Sequence, residues 1–394
     1  MDPLRNPFSP GAGTPPPELA GRTDLLDKAL LALARIKAGR PEKSFFLVGL
    51  RGVGKTVLLH KIEELATEND YKPLMIEARE NRRLSEILVP HLRKLLFSLD
   101  LGEMVSTKVK KAFRVLKSFV LKVDPNGAME LGIDVDPEKG TADSGDLEVD
   151  LAELFIAIAD AAKEKSTAVA IIIDEVQYLD QEELSSLVMA VHKISQKSLP
   201  LVVIGAGLPQ LLGKAGNAKS YAERLFDYPR VGALSDKDAE VAIQQPAKDE
   251  GASFSEEAIE EIIKVTEGYP YFLQQWGYQT WKIAERSPVT KKDVEMATNE
   301  AIKILDNNFF RVRLDRLTPR EREYLRAMAE LGSGPQRSGD IASIMKVDVR
   351  SVAPFRNSLI KKGMIYSPAH GDTEFTVPLF AEFMKRHMQL EQME

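Results

Sequence analysis

The 394-residue chain contains no cysteine, which excludes disulfide staples and thiolate-bound metals and makes a reducing compartment the simplest setting. Histidine is scarce as well. His60, His91, His192, His370 and His387 are scattered without the spacing of a ligand set, so no metal site of that kind is expected. Long apolar runs are missing: no stretch reaches the roughly eighteen uncharged apolar residues of a membrane span. The opening "MDPLRNPFSPGAGTPPPELAGR" lacks the basic-then-apolar layout of a secretory signal, and the expectation is a cytoplasmic protein with no membrane span. Strong charge of one sign is absent too. A net charge of -6 gives no global attraction to nucleic acid, so any DNA contact requires a local basic face.

What is present is enough apolar sequence to fill two or three cores. Pro and Gly up to Pro17 preclude regular structure and read as an extended arm lying on the first domain. "TDLLDKALLALARIKAG" is an amphipathic helix ending at glycine. "KSFFLVGL", "KTVLLHKIEELATEN" and "KPLMIEA" then form a strand, a helix and a strand, one parallel βαβ unit. After a helix from about 81 to 101, residues 102–149 read as an insertion. It comprises a basic amphipathic helix, two short alternating segments around the turn signal "DPNG", and an acidic glycine-rich linker. "LAELFIAIADAAKE" and "STAVAIIIDEV" resume the alternation, followed by helix 181–197, strand "PLVVIGAG" and helix 208–215. Beyond Ser235 strands disappear, and Ser235, Ser255 and Thr290 are candidate N-caps of successive helices. From Thr318, "TPREREYLRAMAEL", "RSGDIASIMK" and "VRSVAPFRNSLIKKG" read as three helices, and "MIYSP" and "EFTVP" as short strands around "AHGD".

The stretch "FFLVGLRGVGKTVLL" carries Gly49-x-x-x-x-Gly54-Lys55-Thr56 between a strand and a helix, the context a phosphate-binding P-loop requires. Glycines let backbone N–H groups turn inward around phosphate oxygens, and the helix N-terminus adds its dipole. Gly49, Arg51, Gly52, Val53, Gly54, Lys55, Thr56 and Val57 are the candidate phosphate-binding residues. Lys55 would reach the β and γ phosphates, and Thr56 would place its hydroxyl on Mg²⁺. The plainer alternative is a glycine turn beside an ordinary surface lysine. In "AVAIIIDEVQYL" a buried strand ends on Asp174, where open α/β sheets bind ligands. Asp174 is placed to hold Mg²⁺ through water, and Glu175 to polarise the attacking water as general base. Alone, the same residues would be a solvated strand end. Together with the P-loop they point to ATP/ADP and Mg²⁺.

From about Leu19 to His387 the chain resembles the AAA+ superfamily: the P-loop, the "IIIDE" strand, the strand "LVVIGAG", then an arginine before the last strand and a helical lid. Within it the chain is most similar to the branch of archaeal and eukaryotic origin-recognition initiators and the related STAND signalling ATPases. The resemblance implies an α/β P-loop NTPase core with a parallel sheet between helices, an all-α lid and a C-terminal winged helix. The expected division is an arm 1–17, a nucleotide core 18–234 with the insertion 102–149, a lid 235–317 and a winged-helix domain 318–394. The resemblance also implies an arginine that reaches a neighbour's nucleotide. Arg224 in "SYAERLFDYP" matches that position, with Arg230 nearby and a surface salt bridge as the other reading. With such a finger, hydrolysis requires a homo-oligomer in the ATP state. Gly268, Tyr269 and Pro270 in "EGYPYFLQ" resemble the adenine-side motif of the STAND group. The same residues also suit plain helix punctuation. "ELAGR" at 18–22 resembles the segment bordering the base.

Two departures from the pattern imply a slow switch rather than a motor. After "PLVVIGAG" the family places an Asn, Ser or Thr that orients the lytic water, whereas this chain has Gly205, Ala206 and Gly207, with Gln210 the first amide. The lid has no obvious arginine in the usual second-sensor place. In DNA-binding winged helices the helix 350–361 enters the major groove, which offers Arg350, Ser351, Arg356 and Asn357 to bases and Lys361, Lys362 and His370 to phosphates. Basic and acidic residues nearly cancel in this unit, and winged helices also bind proteins. The basic helix with Lys108, Lys110, Lys111, Arg114 and Lys117 is a second candidate surface for DNA or headgroups, or the solvated face of a packed helix. The sequence therefore reads as an ATP-binding, slowly hydrolysing switch that assembles on or recruits partners, with duplex DNA among them. The alternatives are a STAND-type scaffold whose winged helix binds an unidentified protein, and a nearly inactive ATP sensor.

Overall fold

Five short apolar runs build one parallel sheet: β1 (Ser44–Val48), β2 (Tyr71–Glu77), β3 (Ala168–Asp174), β4 (Leu201–Gly207) and β5 (Phe226–Asp227). Their order is β2-β3-β4-β1-β5. The structure, a computed structural model, describes residues 1–11, 13–100, 106–124, 135–219, 222–369 and 371–389. Every residue of β1, β3 and β4 is buried, as a parallel sheet covered by helices on both faces demands. Pairing sets Val48 opposite Gly207 and Asp174 opposite Glu77. Because the strands run parallel, the C-terminal ends of β1, β3 and β4 share one edge. This sheet and its helices make a first unit of Thr23–Gly49 with Lys55–Arg230.

The helix Thr107–Val123, capped by the Ser106 hydroxyl, buries Leu116 and Phe119 completely in this unit's core. Its basic side faces outward and is tied down, with Arg114 3.2 Å from Glu138 and Lys108 3.6 Å from Asp160. The apolar side of the helix is packed, and Lys108, Lys110, Lys111 and Arg114 stay exposed. The helix continues to Val123, so the alternating segment expected before "DPNG" is helical instead; residues 125–134 and His370 lie outside the described residues.

The second unit comprises Met1–Arg22, Leu50–Gly54 and Val231–Glu394. Its helices Asp236–Asp249, Glu256–Thr266 and Lys291–Ile304 begin on the side chains of Ser235, Ser255 and Thr290, as the cap signals imply. The N-terminal arm departs from expectation, because it packs on the helices of this unit. Phe8, only 2% exposed, meets Phe254 and Trp281 edge-on at 6.1 and 6.4 Å. The Trp281 indole donates to the Asp2 carbonyl at 2.9 Å, and the Asn6 amide to the Tyr278 carbonyl at 3.1 Å. Gly277 on the helix Pro270–Ile283 explains the fit: a Cβ there would stand 2.6 Å from the Phe8 ring. A proline-rich arm offers few N–H groups to a sheet edge, so its one large aromatic determines where it docks.

Further along, the helices Pro319–Glu330, Ser338–Ile344 and Val349–Lys361 alternate with β6 (Gln336–Arg337), β7 (Ile365–Tyr366) and β8 (Asp372–Phe375), and the helix Phe380–His387 follows. The antiparallel order is β6-β8-β7. The sequence signalled β7 and β8 but not the two-residue β6. Thr318 and Glu321 form a reciprocal capping box. Buried Glu321 also accepts from the Ser358 hydroxyl at 2.6 Å and the Lys362 ammonium at 2.8 Å. Arg386 grips Asp306 through two nitrogens at 2.7 and 3.1 Å. Among the described residues no helix is long and apolar enough to cross a membrane.

Burial acts to raise the Glu321 carboxyl, but the bonds from Lys362, Ser358 and the Thr318 N–H outweigh it and bring it to about 2. A carboxyl held below its unfolded value of about 4.3 stabilises fully above that pH and loses the contribution as pH falls toward 2. Glu321→Gln is expected to cost about 1–3 kcal/mol at neutral pH. The same change should flatten the acid limb of stability between about pH 4.3 and 2, as read by denaturant unfolding across pH. Phe8→Ala is expected to destabilise the helical unit by up to about 3 kcal/mol, because undocking of the arm relieves part of the cavity; a chemical denaturation midpoint checks it.

Candidate functional site

Where β1 ends, the Gly49 N–H donates to the Gly207 carbonyl at 3.1 Å. The loop's entry is thereby pinned to the end of β4. The helix Lys55–Glu68 starts directly after the glycines and buries Leu58, Leu59, Ile62 and Ala66 against the sheet. Its first two side chains face the strand ends. Lys55, largely buried, donates to the Gly49 carbonyl at 3.0 Å. The Thr56 hydroxyl donates to the Asp174 carboxylate at 2.6 Å, and the other Asp174 oxygen accepts the Glu175 N–H at 2.8 Å. Burial pushes the Asp174 carboxyl up, while the bonds from Thr56 and the Glu175 N–H pull it down; the net direction is upward. Lys55, Thr56, Asp174 and Glu175, read from the sequence as one constellation, do converge in this unit. Val57 lies in the first helical turn, half-buried.

Glu175 adopts φ 53° and ψ 37°, the left-handed region that non-glycine residues occupy only under constraint. The constraint is the 3₁₀ turn Val176–Tyr178, in which the Tyr178 N–H reaches the Glu175 carbonyl at 3.0 Å. Gln177 of that turn donates its amide to the Glu175 carboxylate. Sequence reasoning passed over Gln177, although it stands two residues beyond Glu175 in the quoted motif.

Arg51 to Val53 are held by residues of the helical unit. Gly52 and Gly54 have φ of 82° and 91°, conformations that favour glycine. At Gly52 space is a second reason, since a Cβ would come 3.0 Å from the Tyr269 ring. The Tyr269 hydroxyl donates to the Arg51 carbonyl, the Tyr271 N–H to the Gly52 carbonyl at 3.2 Å, and the buried Arg22 guanidinium to the Val53 carbonyl at 3.3 Å. In the "GYP" motif, Gly268 lies so close to Leu234 that a Cβ would stand 2.5 Å from its carbonyl oxygen, and Pro270 opens the next helix. Arg313 was not signalled at all. Its guanidinium lies 3.8 Å over the Phe309 ring, and Phe309 stacks on Tyr271 at 4.9 Å. Burial first, and the neighbouring Arg51 cation second, lower its pKa to about 10.

The remaining candidates sit elsewhere. Arg224 is exposed on the short helix Ala222–Leu225, and Arg230, also exposed, bridges Val48. On the helix Val349–Lys361, Arg350, Ser351, Asn357 and Lys361 are exposed. Arg356 instead donates to the Ser367 hydroxyl at 2.8 Å and the Asp372 carbonyl at 3.3 Å, and Lys362 belongs to the Glu321 cluster.

Residues 18–204 match the AAA ATPase domain family, and residues 307–384 match a domain of unknown function, DUF8462. An uncharacterized HTH-type transcriptional regulator of Methanocaldococcus jannaschii is 26% identical over 213 residues, 52% of this chain. The chain spans about half the length, 51%, of that curated relative. Among solved structures, the Walker-type ATPase of Pyrococcus abyssi superposes with a TM-score of 0.56 at 17% identity, over 94% of this chain and 97% of that one. Cdc6p of Pyrobaculum aerophilum gives a TM-score of 0.48 at 13% identity, over 99% of both chains. Orc1 of Aeropyrum pernix, solved in complex with DNA, gives 0.46 at 16% identity, over 94% of both. Residues 18–204, the stretch that matches the AAA ATPase domain family, contain the P-loop sequence and the acidic end of β3.

Proposed function

We propose that the chain binds ATP with Mg²⁺, hydrolyses it slowly, and uses the ATP-bound state as a switch to assemble with copies of itself and recruit partners. The observation that carries this reading is the 2.6 Å bond between Thr56 and Asp174. It unites the first turn of the P-loop helix with the acidic strand end, and Glu175 is the adjacent residue. The Thr56 hydroxyl and the Asp174 carboxylate are hard oxygen donors of the kind Mg²⁺ takes, and they would hold it, Asp174 through water. When bound, the ion supplies charge neutralisation and orientation of the phosphates. Lys55 releases the Gly49 carbonyl to hold the β and γ phosphates, and Glu175 takes the proton of the attacking water. The absence of any polar side chain at Gly205, Ala206 and Gly207 supports slow turnover. Arg224, exposed on its short helix, is available to a neighbouring copy's nucleotide.

For the C-terminal residues 318–394 we favour a winged helix that meets duplex DNA through the exposed Arg350, Ser351, Asn357 and Lys361. The HTH-type name of the archaeal relative accords with this. One observation favours the second reading, a STAND-type scaffold that binds protein: Arg356 and Lys362 are engaged inside the unit by Ser367 and Glu321.

Lys55→Ala is expected to weaken ATP binding by roughly 10- to 150-fold, the worth of one charge-assisted contact of about 1.5–3 kcal/mol. Glu175→Gln should keep the affinity and lower kcat by about 100-fold or more. Equilibrium binding of a fluorescent ATP analogue and phosphate release distinguish the two, and an unchanged kcat in Glu175→Gln contradicts the mechanism. Light scattering on Glu175→Gln with ATP-Mg²⁺ tests the assembly. Co-elution of duplex DNA that is lost in Arg350→Glu/Lys361→Glu supports the DNA reading; ATP-driven assembly indifferent to DNA supports the scaffold.

A further inference from the structure

Gln177 sits at a junction between two strands. It is 4% exposed, and both polar groups of its side chain and its main-chain carbonyl have named partners. Its side-chain Nε2 donates to the Glu175 carboxylate, its Oε1 accepts the Leu208 N–H at 3.0 Å, and its main-chain carbonyl accepts from the Lys214 ammonium at 2.8 Å. The orientation of the amide is not arbitrary. Only the oxygen can accept from the Leu208 N–H, so the NH₂ group has to face Glu175. Turning the side chain away would strand a buried backbone N–H, which costs about 1–3 kcal/mol.

The same arrangement explains the composition of β4. A Cβ at Gly207 would stand 3.0 Å from the Gln177 Oε1 and 2.9 Å from Leu211. One at Gly205 would stand 2.8 Å from Val176 and 2.9 Å from the Ile173 carbonyl. Phe46 of β1, 2.7 Å from a Cβ at Gly205, together with Ile173, Val176, Gln177 and Leu211, therefore fills the space into which a polar side chain from the end of β4 would project.

We propose that Gln177 is the positioning residue for hydrolysis, supplying from the β3 side the amide that β4 has no room to carry. The proposal rests on the ATPase reading above, with Glu175 as general base. Gln177 acts through Glu175: an amide donor on the carboxylate fixes the rotamer of a side chain whose backbone is already held left-handed.

The variant that separates this role from a structural one is Gln177→Glu. It keeps the shape and the acceptor for the Leu208 N–H, and exchanges the donor facing Glu175 for a like charge. Single-turnover hydrolysis at saturating ATP-Mg²⁺, the affinity for ATP and thermal unfolding are measured on wild type, Q177E, Q177A and Q177N. The expected result is a fall in kcat of about 10- to 100-fold in all three, the cost of misplacing a catalytic group by about 1 Å. ATP affinity should stay within about twofold, because none of these atoms is assigned to the nucleotide. Q177E at the wild-type rate or faster overturns the proposal, as would a rise in kcat in Q177A. If Q177E does not fold, Q177N, one methylene too short to span both partners, decides by the same criterion. A wild type no faster than Glu175→Gln would defeat the ATPase reading itself, and that outcome is distinct from a Gln177 series that tracks a fully active wild type.

Discussion

The hydrogen bond from Thr56 to Asp174 is possible only if two distant pieces of chain are registered to within an ångström. Thr56 opens the helix after β1, and Asp174 closes β3, with β4 lying between the two strands. The ladder pairing Phe45 with Ile204, and Ile172 with that same Ile204, fixes this relation. A slip of one residue in either strand would turn Asp174 or the loop to the opposite face. Complete burial of β1, β3 and β4 opposes such a slip, because their apolar side chains fit helices on both sides. The geometry of the site is therefore a consequence of sheet register.

Much of this was legible beforehand because its causes are local. A glycine-rich corner between a buried strand and a helix, and a carboxylate at a strand's end, each carry their reason within about ten residues. N-caps such as Ser235 and Thr290 are equally short-range. Gln177 was overlooked although it lies within the quoted motif, because its importance depends on Leu208, which only the β3–β4 pairing brings near. Arg313 is the same kind of case, since nothing adjacent to it announces its partner. The place of the arm was misjudged for the opposite reason: proline showed what the segment could not be, and only the groove over Gly277 determined where Phe8 would go.

The C-terminal helices show how one residue takes on two tasks. Glu321 is a capping-box residue by sequence, and by fold it is also the buried acceptor for Ser358 and Lys362. The sequence did not reveal that Lys362, read as a phosphate contact, would bind the buried Glu321 carboxylate while staying exposed itself.

A peptide group carries its C=O and N–H on opposite sides of one rigid plane. In the loop, three successive carbonyls are gripped from the helical unit: Arg51 by the Tyr269 hydroxyl, Gly52 by the Tyr271 N–H and Val53 by Arg22. Each grip turns the N–H of the following residue the other way, so the amides of Gly52, Val53 and Gly54 are presented on the side away from those donors. Such a run of like-facing amides is a concave electropositive surface suited to an anion. The aromatic and basic residues behind the loop thus set its polarity: they occupy the acceptors and leave the donors forward.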